Sequence, residues 1–325
     1  MADRSDSHDH GGDDGRVCRL YTPAMLAELL SVPLAAVRRW HRRGALLATR
    51  DVQRLPYFDF QEVAVARRLA QLLRAGCSLR AIDRRLAELA RLTPGVERPL
   101  ADPGLIVEGR RLYLRRGDEL SEPHGQMLLD FDAPLAEDEE PAAVVALFRG
   151  GDPPAEEDSA HAAPGADLAG KSLVEHWVQE ALDWEDEGRL DRAADAYRTL
   201  MMATGPTADA QFALADVLYR AGDLPAARER YYATLEIDEE FVEARASLGC
   251  VLAELGELEL AAATFEGALA HHAEFADVHF HLAHVLDRMA REGDAADHYR
   301  TFLALAPQSP WADAARDRLA EMEAR

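Results

Sequence analysis

ADAQFALADVLYRAGDLPAARERYYATLEIDEEF, residues 208–241, runs without insertion into VEARASLGCVLAELGELELAAATFEGALAHHAEF, residues 242–275, and the two stretches of 34 residues align position by position. The same spacing continues outward to blocks at 174–207 and 276–309. Ala181, Ala215, Gly249 and Ala283 fall in one column, and Ala193, Ala227, Ala261 and Ala295 in a second. Larger residues fill others: Trp184, Leu218, Leu252 and Leu286; Tyr197, Tyr231, Phe265 and Tyr299; Met201, Leu235, Leu269 and Leu303. Small residues at two fixed places let two helices approach closely, and an aromatic at a third fills the gap to the next pair, so each block is expected to be one helix pair stacked on its neighbours. Gly188, Gly222 and Gly256 stand where each pair turns and positive φ is needed, with Ala290 in place of a fourth glycine. Pro307 closes the last block, and Trp311 to Glu323 reads as an amphipathic capping helix.

This pattern resembles the tetratricopeptide repeat. The resemblance implies a non-catalytic α-solenoid of four helix pairs that holds a protein partner, with the first helix of each pair lining a concave groove. By period, the groove-facing residues are Asp209, Phe212, Asp216 and Tyr219, then Glu243 and Glu254, then Asp277, Phe280 and Asp287, with Glu175, Glu185, Asp186 and His284 beside them. Arg220 and Arg288 are the main opposing charges. An acidic groove with aromatic residues suits a basic segment of a partner protein. The chain has no asparagine, and its single lysine, Lys171, lies outside the repeats, so the groups that would hold a partner's terminal carboxylate are missing. For any one of these carboxylates, simple solvation is the alternative reading.

The 325 residues are 48% apolar, enough for two or three packed modules. No apolar run approaches the ~20 residues that cross a bilayer, and Met1 to Gly15 is polar where a secretory signal needs an apolar stretch, so a cytoplasmic location is expected. Cys18, Cys77 and Cys250 form no CxxC pair, which points to reduced thiols without a disulfide framework or zinc site. The net charge of −23 argues against nucleic acid for the chain as a whole, yet it is unevenly divided. Residues 17–92 carry fourteen arginines against six carboxylates, a balance of about +8, which leaves about −31 for the rest.

Within this basic stretch, Thr22 and Pro23 read as an N-cap and first-turn proline, opening a helix with Met25, Leu26, Leu29 and Leu30 as its apolar set. Val32 and Pro33 end it and begin another, in which Leu34, Val37 and Trp40 can face inward. Two short helices joined so tightly form a helix-turn-helix. Arg38, Arg39, Arg42 and Arg43 follow the turn, with Arg38 and Arg42 on one face and Arg39 and Arg43 on the next. Such arginines meet phosphates and can fork onto guanine in the major groove; a solvated helix face is the alternative. Ala45 to Phe58 has the length of a small hairpin, or wing, carrying Arg50 and Arg54, and two longer helices follow from Asp59 and from Ser78.

The order of these parts resembles the MerR-type DNA-binding domain over about Leu20 to Leu92. The match is carried by Leu26-Ala27-Glu28, Val37-Arg38-Arg39-Trp40 leading to Gly44-Ala45-Leu46-Leu47, Tyr57-Phe58 before Glu62-Val63, and Ala75-Gly76-Cys77-Ser78-Leu79 before Ile82. It implies that Arg38 contacts DNA backbone, that Trp40 has a place nearby, and that Arg50 and Arg54 are the wing arginines. Leu55 and Pro56 depart from the family, which often shows tyrosine and arginine there. Typical members also continue into a long dimerising coiled coil, whereas Pro94, Gly95 and Pro99 stop the helix soon after Leu92. One such module makes few phosphate contacts, so tight binding needs a second copy, and a homodimer would have to form through another surface.

Together these readings predict a mainly α protein: a disordered tail over 1–16, the winged helix-turn-helix over 17–92, a small β-rich segment over 93–132, an acidic Pro/Ala-rich linker over 133–172, and the repeats with their cap over 173–325. Leu105 to Val107, Leu112 to Leu114 and Met127 to Phe131 read as strands that pack on the helical module, pair two chains or receive an effector. GxSxG, GxxxxGKS/T and HExxH are absent, so no enzyme is expected. His281 and His284 share a helix face, but no cysteine or paired carboxylate completes a ligand set, and neither metal nor cofactor is expected. The function this predicts is a bacterial transcriptional regulator that binds duplex DNA through its head and a protein through its repeats. The alternative is a scaffold whose helix-turn-helix contacts protein instead. The charge split allows one more arrangement, in which the acidic array folds back over the arginines of its own head until a partner releases it.

Overall fold

The computed structural model describes residues 20–92, 98–116, 119–121, 127–128 and 170–324, so the tail expected over 1–16 and nearly all of the linker lie outside the described residues. In the head, the Thr22 hydroxyl accepts the Met25 N–H and starts α1 (Pro23–Leu30). Ser31 takes the left-handed conformation that ends it, and α2 (Leu34–Arg42) follows after one turn. The wing is a hairpin of β1 (Arg50–Val52) and β2 (Leu55–Tyr57), with Val52 paired to Leu55. Its two loop residues, Gln53 and Arg54, both have positive φ, the geometry that a two-residue hairpin loop needs to match strand twist. Asp59 caps α3 (Phe60–Arg74), Gly76 breaks the chain at φ 83°, and α4 (Leu79–Leu92) completes the head. Leu26, Val37, Trp40, Leu46, Phe58, Leu69 and Ile82 form its core.

A 3-10 turn (Pro99–Ala101) leads into an antiparallel meander of β3 (Leu105–Glu108), β4 (Arg111–Arg116), β5 (Glu119–Ser121) and β6 (Met127–Leu128). Leu100, Leu105 and Leu112 enter the core of the head, so of the three roles open to this segment the structure displays packing. Arg98 pairs with the buried Glu62 at 2.5 Å, and Glu62 accepts the Leu47 N–H at 2.9 Å, which ties the segment to the base of the wing. The strand β5 was not expected, and Phe131 lies outside the described residues.

The repeats fold as four helix pairs: α5 (Gly170–Asp186) with α6 (Leu190–Thr204), α7 (Ala208–Arg220) with α8 (Leu224–Ile237), α9 (Val242–Glu254) with α10 (Leu258–His271), and α11 (Ala276–Arg288) with α12 (Glu292–Leu305). Helix α5 starts at Gly170, inside the stretch expected to be linker. The alanine columns are fully buried, and Gly249 explains itself: a Cβ there would sit 2.5 Å from the Phe265 ring. Gly188, Gly222 and Gly256 have φ of 72°, 80° and 82°, and Ala290 adopts 59° in the fourth turn without glycine's freedom. The capping helix α13 (Ala312–Glu323) covers the last pair, with Trp311 stacked on Phe280 at 5.5 Å.

Candidate nucleic-acid interface and repeat groove

The basic face of the head is docked into the acidic groove. Arg38, on the outward side of α2, gives Nη1 to Asp216 and Nε to Glu243 at 2.8 Å, and its guanidinium lies 4.8 Å from the centroid of the Phe212 ring. Its side chain is 10% exposed. Burial opposes the charge, but Asp216 and Glu243 outweigh it and hold the guanidinium above its ordinary range. At the wing tip Arg54 bonds Asp209 at 2.7 Å and Asp238 at 2.8 Å, over the Phe241 ring. Arg39 is buried, reaching Asp83 of α4 at 2.8 Å and the Leu182 carbonyl of α5 at 2.9 Å.

Two further contacts fix the ends of this interface. At one end Asp186 of α5 accepts the N–H groups of Leu79 and Arg80 at 2.8 and 2.9 Å, where α4 begins with unsatisfied donors, and the Arg80 side chain reaches Asp183. At the other, the Thr22 hydroxyl donates to Asp277, and the Tyr57 hydroxyl meets His272 Nε2 at 2.6 Å. Between them Met25, Leu55 and Tyr57 join the apolar core of the array. Burial pushes the Asp277 carboxyl up to about 7 with Glu243 adding to the shift, though the Thr22 hydroxyl opposes it. Burial likewise lowers His272. The seam leaves a cavity of about 570 Å³ beside Arg38, Arg42, Arg54, Glu185 and Phe212.

The expected DNA-facing residues therefore separate. Arg38 and Arg39 are held in buried ion pairs and Arg54 in an exposed one, whereas Arg42, Arg43 and Arg50 are exposed with looser partners, Arg42 at the Tyr197 hydroxyl of α6 and Arg43 3.9 Å from Asp83. Trp40 requires correction: it is completely buried in the core of the head, because Ala36, Val37 and Trp40 share the inward face of α2 while Arg38 and Arg42 share the outward one. The groove also differs from an open channel. Phe212, Asp216, Glu243 and Asp277 are covered by the head, Asp209 pairs with Arg54 while staying largely exposed at the rim, and the Tyr219 hydroxyl donates to Glu254. Phe280 lies under Trp311, and Asp287 forks with Arg318 of the cap at 2.7 Å. Arg80, Asp183 and Asp238 are not singled out by sequence, and Thr22 reads there only as a helix cap and His272 only as an ordinary surface or groove histidine. Asp238 follows a second helix, where a search along first helices does not look, and Arg80 and Asp183 carry no periodic signal.

Cys77 and Cys250 are unpaired, and among the described residues no group of three or more His, Cys, Asp or Glu side chains is placed to hold a metal ion. No helix among them is long and apolar enough to cross a membrane.

Helix-turn-helix with wing, followed by a solenoid of helix pairs, defines a two-module class of protein. Residues 21–89 match the family described as MerR HTH family regulatory protein, and residues 178–240 and 247–310 match the tetratricopeptide repeat. The chain thus joins a MerR-type helix-turn-helix domain to a tetratricopeptide repeat array. Among solved structures, it is similar to MamA (20% identity, 44% of this chain and 92% of that one, TM-score 0.39) and to YrrB, described as a TPR protein with an unusual peptide-binding site (18%, 46% and 76%, 0.42). A tetratricopeptide repeat protein from Parabacteroides merdae is also similar (18%, 47% and 60%, 0.44). No curated protein matches the chain.

Proposed function

We propose that this protein is a cytoplasmic transcriptional regulator whose winged head binds duplex DNA and whose repeat array binds a protein. The observation that carries the reading is the match of residues 21–89 to a family of regulatory proteins, together with the placement of Arg38 and Arg42 on the outward face of α2 and Arg54 at the wing tip. Arginines so placed suit backbone phosphates, and Arg42, Arg43 and Arg50 are exposed. Duplex binding should weaken steeply as salt rises, since each phosphate neutralised releases counterions. Changing Arg42 and Arg43 together to alanine should lower affinity about tenfold or more and flatten the salt slope by about 2. A slope unchanged by those substitutions would sink the assignment of that face.

A second reading is favoured by one observation: Arg38, Arg39 and Arg54 already meet protein groups. On that reading the head is a protein-contact module and the whole chain an adaptor. Absence of duplex binding at low salt, in a chain whose head has been released from the groove, would select it.

A further inference from the structure

Two arginines of the head sit in matching cages on the array. Arg38 has the Phe212 ring at 4.8 Å with Asp216 and Glu243 on its edges, and Arg54 has the Phe241 ring at 5.1 Å with Asp209 and Asp238 on its edges. The two rings touch, their centroids 4.7 Å apart, so the cages form one tract along the groove. A ring face combined with two carboxylates suits a planar guanidinium, which stacks and forks at once, better than a compact ammonium. A third grip takes no side chain from the head, because Asp186 sits on the first two N–H groups of α4.

A carboxylate forked onto arginine, or seated on the N–H groups at a helix start, is held by the charge-assisted bonds that would hold a phosphate oxygen. The groove therefore occupies the same donors of the head that a duplex backbone would use. We infer that the acidic groove is a competitive inhibitor of the head, built into the same chain, and that the partner it admits is a protein segment offering arginines to the two cages. This rests on the DNA reading above. Because head and groove share a chain, docking is intramolecular and its competition with a duplex does not depend on protein concentration. Duplex and arginine segment each bind only the released form, so each must strengthen the other's binding by the same factor.

The test uses the full chain and two isosteric variants, D216N/E243Q and D209N/D238N, so that the second pair, at the more exposed cage, stands if the first fails to fold. Hydrogen exchange at the start of α4 and in the wing reads release, and duplex titration at low salt reads the consequence. Both variants should exchange faster at Leu79 and Arg80 and bind duplex more tightly than the unaltered chain, D216N/E243Q by at least about tenfold and D209N/D238N, at the rim, by about threefold. Without DNA, a hexa-arginine peptide should speed exchange at those amides in the unaltered chain, and a hexalysine peptide should do so far less. Equal duplex affinity in all three proteins would overturn the inhibition while leaving DNA binding intact. Released heads that bind no duplex would overturn both. Equal release by the two peptides would overturn the arginine preference of the cages.

Discussion

Asp216 and Glu243 share one guanidinium that is 10% exposed, and at such burial the loss of one partner is felt as an uncompensated charge, a cost of roughly 3–5 kcal/mol in comparable sites. Arg54 is 45% exposed, and pairs of that kind are worth only about 0.2–1 kcal/mol. Arg38 is therefore the anchor of the interface and Arg54 its rim. Asp277 adds a pH dependence. Its carboxyl keeps a proton to about pH 7 when folded and only to about 3.8 otherwise, so the folded chain binds the extra proton between those values. Its contribution is complete below pH 3.8 and is lost as pH rises through 7, at up to roughly 1.4 kcal/mol per pH unit. His272, lowered by burial, slopes the other way but is common to both proteins in a comparison with Asp277→Asn. Chemical denaturation at steps from pH 5 to 8 should show unaltered chain losing stability relative to that variant; parallel curves would refute the shift. Ala290→Gly, relieving a left-handed alanine, should raise stability by about 1 kcal/mol in the same assay. Gly249→Ala should lower it by roughly 1–3 kcal/mol as its Cβ meets Phe265.

At the scale of elements, stability in a stack of repeats passes between neighbours, so the ends matter most. The cap contributes Trp311 over Phe280 and the Arg318–Asp287 fork to α11. Trp311→Ala should cost about 2 kcal/mol, less than a fully buried tryptophan because the ring is half-buried, and the loss should appear first as faster hydrogen exchange in α11 and α12. Uniform acceleration across all four pairs would instead mean that the array unfolds as one unit. Helix α1 has a comparable dependence on a distant element. Its cap, Thr22, accepts from Met25 and donates to Asp277, so one hydroxyl both starts the helix and docks it.

In the whole molecule, the docked interface combines screened and unscreened parts. Ion pairs at the wing and at Arg80 weaken with salt, whereas the contacts of Met25, Leu55 and Tyr57 do not. Salt near 0.3 M should therefore loosen the start of α4 before it exposes Leu55, an order that exchange rates can read; simultaneous release would show the apolar contacts to be minor. The repeat period, the turn glycines, the cap, the helix-turn-helix and the division of charge could all be read from residue order, because each depends on neighbours a few positions apart or on a regular spacing. The direction of Arg38 and Arg42 was readable for the same reason, and Trp40 was already placed among residues able to face inward before a resemblance pointed it elsewhere. Which carboxylate meets which arginine was not readable: Arg38 and Glu243 are 205 residues apart, and Thr22 and Asp277 are 255 apart. Only folding brings such groups together, and the burial that follows, not their identity, raises the Asp277 carboxyl and turns an acidic groove into a cover for a basic head.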